Sequence, residues 1–148
     1  MEENTYLHVL ILDDEVHSLQ LIQSLLLPFP FIKRTTAVQS VKDAIVVIKE
    51  QAVDLLLLDI ELMGESGFDL LDRISQPAFE FVCLAATKEY AYKAFEYGSS
   101  GYLLKPVNET ELFACFQRLH RFRPFIQPLP PLMQQEQPPV NSLKKQSF

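Results

Sequence analysis

Apolar positions fall into five short runs along the chain, and between the runs they recur at helical spacing. Residues 6–12 (YLHVLIL), 53–59 (VDLLLLD) and 79–86 (FEFVCLAA) are nearly continuous rather than alternating. Such runs mark strands covered on both faces. Residues 31–38 (FIKRTTAV) and 101–105 (GYLLK) predict two more strands. Leu19, Ile22 and Leu26 place a first helix in 16–27. Ser40 caps a second, whose stripe is Val41, Ala44, Ile45 and Ile48. Phe68, Leu71 and Ile74 make a short third. Ala91, Ala94 and Phe95 mark a fourth, which Gly98 ends. Asn108 opens a fifth, with Glu111 placed to reach back and Leu112, Cys115, Phe116 and Leu119 on its buried side. Five alternations of strand and helix with short loops predict an α/β fold: a doubly wound, five-stranded parallel sheet with helices on both faces.

The pattern stops at Arg123. Residues 124–148 carry six of the chain's ten prolines and no apolar stripe. The organisation expected is one domain over 1–123 and a proline-rich linker or tail over 124–148. A chain of 148 residues can bury a core without staples. The net charge of −6 lacks the basic footprint of a nucleic-acid binder. Cys83 and Cys115 lie in apolar runs and read as buried thiols in a reducing compartment rather than a redox pair or metal ligands. No run has the length of a membrane span, and no signal-peptide core opens the chain, so a cytoplasmic location without membrane contact is expected.

In an open parallel sheet, ligands bind beyond the carboxyl ends of the strands. Asp13 and Asp14 follow the first predicted strand, Asp59 ends the third, and Lys105 ends the fifth, directly before Pro106. Taken singly, each has a bland reading: Asp14 as a helix cap, Lys105 as an exposed strand end. Taken together, they converge on one edge of one sheet. Three crowded carboxylates repel one another, and a divalent cation relieves the repulsion. With oxygen ligands alone on offer, a hard ion such as Mg²⁺ suits the set. A metal, a lysine and a central carboxylate are the parts needed to move a phosphoryl group onto that carboxylate. Asp59 is the candidate nucleophile, and Asp13 and Asp14 the candidate metal holders. A proline after Lys105 can hold a cis bond, and the Lys105–Pro106 bond is expected to be cis.

With these residues assembled, the chain resembles a receiver domain of the two-component response regulators, a flavodoxin-like fold. VLILDDE (9–15), LLLLDIELMGESGFDLL (55–71) and GYLLKP (101–106) carry the likeness, which covers residues 6–122. KEYAYKAFEYGSSGYLLKP (88–106) is similar to regulators of the LytR/AlgR type, which usually carry a C-terminal LytTR DNA-binding domain. The resemblance implies phosphorylation of Asp59 by a histidine kinase. It implies Mg²⁺ held by Asp14, Asp59 and the Glu61 backbone carbonyl, with Asp13 acting through water and Lys105 on the phosphoryl group. Tyr102 falls at the switch aromatic, where its alternative reading is a half-buried strand tyrosine. Two positions depart from the pattern. Ala85 stands where a Thr or Ser hydroxyl is usual, and Thr87 could stand in for it only by a shift of register. Met63 stands where the phosphoacceptor loop usually has proline, which is expected to loosen the loop.

The function expected is a phosphorylation-controlled switch rather than an enzyme. Homodimerisation is expected through the fourth helix, fifth strand and fifth helix, where Tyr90, Tyr92, Phe95 and Tyr97 concentrate aromatics. DNA would be reached only through a LytTR domain absent from these residues, whether cut away or never present in a stand-alone receiver. Ala85 favours an alternative, a pseudo-receiver serving as a protein-interaction module. A hydrolase of the haloacid dehalogenase type ranks below both, since the chain is short and the acidic pair has no role there.

Overall fold

The computed structural model describes residues 6–75 and 77–126. Five parallel strands form one sheet: β1 (Leu7–Leu12), β2 (Ile32–Val38), β3 (Leu55–Asp59), β4 (Glu80–Ala85) and β5 (Gly101–Leu104), in the order β2-β1-β3-β4-β5. The order reverses at β1, where one crossover leads outward to β2 and the next leads back to β3. Every residue of β1 and β3 is buried, as their unbroken apolar runs require.

Helices α1 (Val16–Leu26), α2 (Val41–Glu50), α3 (Gly67–Asp72) and α4 (Ala91–Glu96) make the crossovers. One face of the sheet, with Leu10, Leu12, Leu56, Leu58, Phe81 and Cys83, packs with Val41 and Ala44 of α2, Phe68 and Leu70 of α3 and Ala94 of α4. The alternate residues Val9, Ile11, Leu55, Leu57, Val82 and Leu84 are equally buried on the other face, and Leu19, Ile22 and Leu26 of α1 lie outside the first cluster. Burial of this order contributes about 25 cal/mol per Å² of apolar surface removed from water.

Local capping follows the letters. The Ser40 hydroxyl accepts from the Asp43 N–H at 3.1 Å. At α3 a full capping box forms: the Ser66 side chain accepts from the first turn and Asp69 accepts from the Ser66 N–H at 2.9 Å. Between β3 and α3 the chain makes a two-residue antiparallel ladder, Glu61 opposite Ser66 and Leu62 opposite Glu65, which the apolar pattern did not announce. Its loop is Met63-Gly64, with Gly64 at φ 80°.

A second compact unit begins at Asn108. There α5 (Glu109–Phe116) is capped by Asn108, whose side chain accepts from the Glu111 N–H at 2.8 Å. Leu112, Phe113, Cys115 and Phe116 are its buried residues, and the Phe116 and Phe122 rings pack at 4.5 Å. A single turn, α6 (Arg123–Ile126), follows. Residues 124–126 of the expected tail therefore complete a helical turn, with Pro124 in its first turn where a missing N–H costs nothing. The rest of that tail lies outside the described residues.

Candidate functional site

Strand register assembles the site. Ile11 pairs with Leu57, so Asp13, two residues on, arrives beside Asp59 on the same face of the sheet. Asp59 pairs with Leu84 and Leu84 with Leu103, so Lys105, two residues past Leu103, comes next along the same face. Three segments far apart in sequence thus present two acids and an amine at one sheet edge.

The Lys105 Nζ lies 2.8 Å from Asp13 Oδ2 and 3.4 Å from Asp59 Oδ2. Asp13 is fully buried and also accepts from the Glu15 N–H at 3.0 Å and from the Ser18 hydroxyl at 2.5 Å. Asp59, 2% exposed, accepts from the Glu61 N–H at 3.1 Å. Asp14 is half-buried and accepts from the Met63 N–H at 2.5 Å. Asp14 does not cap α1; Glu15 holds the N-cap position without a side-chain bond. One carboxylate oxygen from each of Asp13, Asp14 and Asp59 lies within 4.8 Å of the others. The Lys105–Pro106 bond is cis. A cavity of about 440 Å³ opens beside Asp59 and Lys105, which line it with His17, Ser18, Glu61 and Ala86 among others.

Burial first, and the Asp13 charge second, raise the Asp59 carboxyl from its ordinary 3.8 to about 7, against the opposing pull of Lys105 and the Glu61 N–H. Burial would lower the Lys105 ammonium, but its hydrogen bond to Asp13 and the charges of Asp59 and Asp13 outweigh that, and its pKa is raised. The site therefore holds more negative charge than one lysine offsets. A hard divalent cation fits this donor set: oxygen ligands only, close together, with unneutralised charge.

The response regulator receiver domain profile matches residues 9–117. The chain belongs to that family. This receiver domain is 36% identical over 114 residues to the sensory transduction protein LytT of Enterococcus faecalis, covering 76% of the chain and 47% of that protein. It is 35% identical over 118 residues to the transcriptional regulatory protein BtsR of Salmonella typhi, covering 78% and 48%. The chain spans about half the length of these curated relatives. A CheY-like receiver domain from Methylobacillus flagellatus superposes with a TM-score of 0.67 at 23% identity, over 76% of this chain and 97% of that one.

The three further positions named from the sequence are Ala85, Thr87 and Tyr102. Ala85 is fully buried in the core cluster shared with α2, α3 and α4, and the next residue, Ala86, lines the cavity. Thr87 is exposed, and its hydroxyl accepts from the Glu89 N–H at 3.2 Å. The Tyr102 hydroxyl donates to the Thr87 carbonyl at 2.6 Å. On α4 the aromatics divide. Tyr92 and Phe95 are 73% and 75% exposed, while Tyr90 and Tyr97 pack against the core. The Phe95 placement corrects the predicted apolar stripe: on a six-residue helix, Ala94 alone is buried, and its neighbour Phe95 turns about 100° away.

Sequence reasoning overlooked Ser18 on Asp13, the Glu61 carboxylate accepting from the Ala86 N–H at 3.4 Å, and the Met63 amide on Asp14. Ser18 had a signal, a hydroxyl in the first turn of the helix that follows the acids. The other two involve backbone groups that no residue letter reports. Among the described residues, no helix is long and apolar enough to cross a membrane.

Proposed function

We propose that this receiver domain accepts a phosphoryl group on Asp59 from a histidine kinase, with Mg²⁺ required, and passes the change to an output domain. The observation that carries the reading is the meeting of Asp13, Asp14 and Asp59 within 4.8 Å, with Lys105 on two of them and with Asp59 and Lys105 lining an open cavity. Asp14, Asp59 and the Glu61 backbone carbonyl would hold the ion, with Asp13 assisting through water. Bound there, Mg²⁺ supplies positive charge opposite the phosphoryl oxygens. An Asp59 oxygen attacks phosphorus as the P–N bond of the donor phosphohistidine breaks, and the leaving imidazole nitrogen keeps the electron pair and takes up a proton. Lys105 meets the negative charge carried over with the phosphoryl group. The reading extends to dimerisation through α4, β5 and α5, with the exposed Tyr92 and Phe95 as its anchors. It also extends to transcriptional output through a LytTR DNA-binding domain, in keeping with the LytT and BtsR relatives.

Acetyl phosphate with Mg²⁺ should add the mass of one phosphoryl group to the wild type and none to Asp59→Asn. An unmodified wild type ends the proposal. Ala85 supports a second reading, an interaction module without a working switch. Phosphorylation that leaves oligomeric state and α4 amide resonances unmoved would favour it.

A further inference from the structure

Asp14 is the acid of the site that Lys105 does not pair with; both Lys105 ion pairs go to Asp13 and Asp59. Its carboxylate nevertheless stays within 4.8 Å of those two like charges. Being half-buried, it has open solvent to swing into. What draws its side chain inward is the Met63 N–H, which donates to Asp14 Oδ2 at 2.5 Å from a residue 49 positions away.

That donor exists because residue 63 is not proline. Met63 and Gly64 form the two-residue loop of the Glu61–Ser66 ladder, and Gly64 takes the positive φ, 80°, that suits glycine. The Met63 side chain is 90% exposed. Proline at residue 63 would remove the amide hydrogen that reaches Asp14. Through this bond the loop is tied to the acid.

We propose that the Met63 backbone amide is a positioning group for the metal ligand Asp14, holding its carboxylate beside those of Asp13 and Asp59. This rests on the Mg²⁺ site proposed above. A carboxylate has about four lone-pair directions, so one N–H leaves ample capacity for a cation. Hydrogen bonds that orient a ligating side chain typically account for 10–100-fold in metal affinity.

The test is calorimetric titration of the metal-free receiver with Mg²⁺ alone. Met63→Pro should bind Mg²⁺ about 10-fold more weakly than the wild type. Met63→Ala keeps the amide and should bind as the wild type does. Thermal melts of the two variants should stay close to the wild type, which separates positioning from loss of fold. If Met63→Pro does not fold, an amide-to-ester replacement at residue 63 deletes the same donor without a ring and should give the same weakening. Equal affinity in wild type and Met63→Pro, or equal weakening in Met63→Ala, overturns the proposal. A wild type that takes up no Mg²⁺ removes the metal site itself and this role with it.

Discussion

Gly67 is pressed against the backbone of Asp59. A Cβ built on Gly67 would overlap the Asp59 carbonyl oxygen and sit 3.0 Å from Leu58 Cγ. The glycine N–H donates to the Ile60 carbonyl at 2.9 Å, so the start of α3 is fastened to the end of β3 with no space between them. Gly67→Ala should force the two apart at a cost of about 1–3 kcal/mol, read as a lower midpoint in urea. Because the displaced atom belongs to Asp59, labelling by acetyl phosphate should slow as well.

The raised Asp59 pKa makes metal-free stability depend on pH. The unfolded carboxyl titrates at 3.8 and the folded one at about 7, so the native state binds the proton more tightly. Stability from this group is full below 3.8 and is lost progressively as pH rises toward 7. Asp59→Asn has no such proton. Its stability advantage over the wild type should therefore grow across that window and level off above it. The plateau should reach about 1–3 kcal/mol, less than the full shift implies because the cavity admits solvent. Parallel urea titrations in chelator would show the divergence; parallel curves would contradict it.

Lys105→Met strips the cation from two buried acids. In metal-free protein at pH 8 this should cost about 1–3 kcal/mol, below the figure for a fully enclosed pair since Lys105 is partly open to water. Losing one charged contact to the transferring group should slow phosphorylation on the order of 10²-fold. A variant labelled at the wild-type rate would remove Lys105 from the chemistry.

Ala85→Ser adds one oxygen at a fully buried site in the core. If the missing hydroxyl limits coupling to α4, the phosphorylated variant should shift α4 amide resonances more than the phosphorylated wild type does. Equal shifts would mean that coupling runs through other groups, such as the Glu61 contact with the Ala86 N–H.

The sheet was legible because burial on both faces writes itself as unbroken apolar runs, and LLLL before Asp59 is the clearest of them. Asp13, Asp59 and Lys105 were legible for a related reason. In a parallel sheet all carboxyl ends share one edge, so polar residues that stop apolar runs must meet there. The Ser66–Asp69 box was present in the letters, three apart, but passed unmarked beside the more prominent acids. Phe95 misled because hydrophobicity was read as burial on a helix too short to bury more than Ala94. The Met63–Asp14 bond was out of reach. Its donor is a backbone group, and the sequence shows no more than that residue 63 is free to have one.

The sheet has two outer strands, β2 and β5, and Lys105 follows directly on the second of them. Its own N–H is tied to Ala85 alone, at 2.8 Å. Asp59 and the acidic pair hang from interior strands with neighbours on each side, whereas their counter-charge is moored along a single flank. Fraying of that outer ribbon would bare the anions without disturbing them, so hydrogen exchange at Leu103 to Lys105 should respond to ions and phosphodonors before exchange in β1 or β3 does.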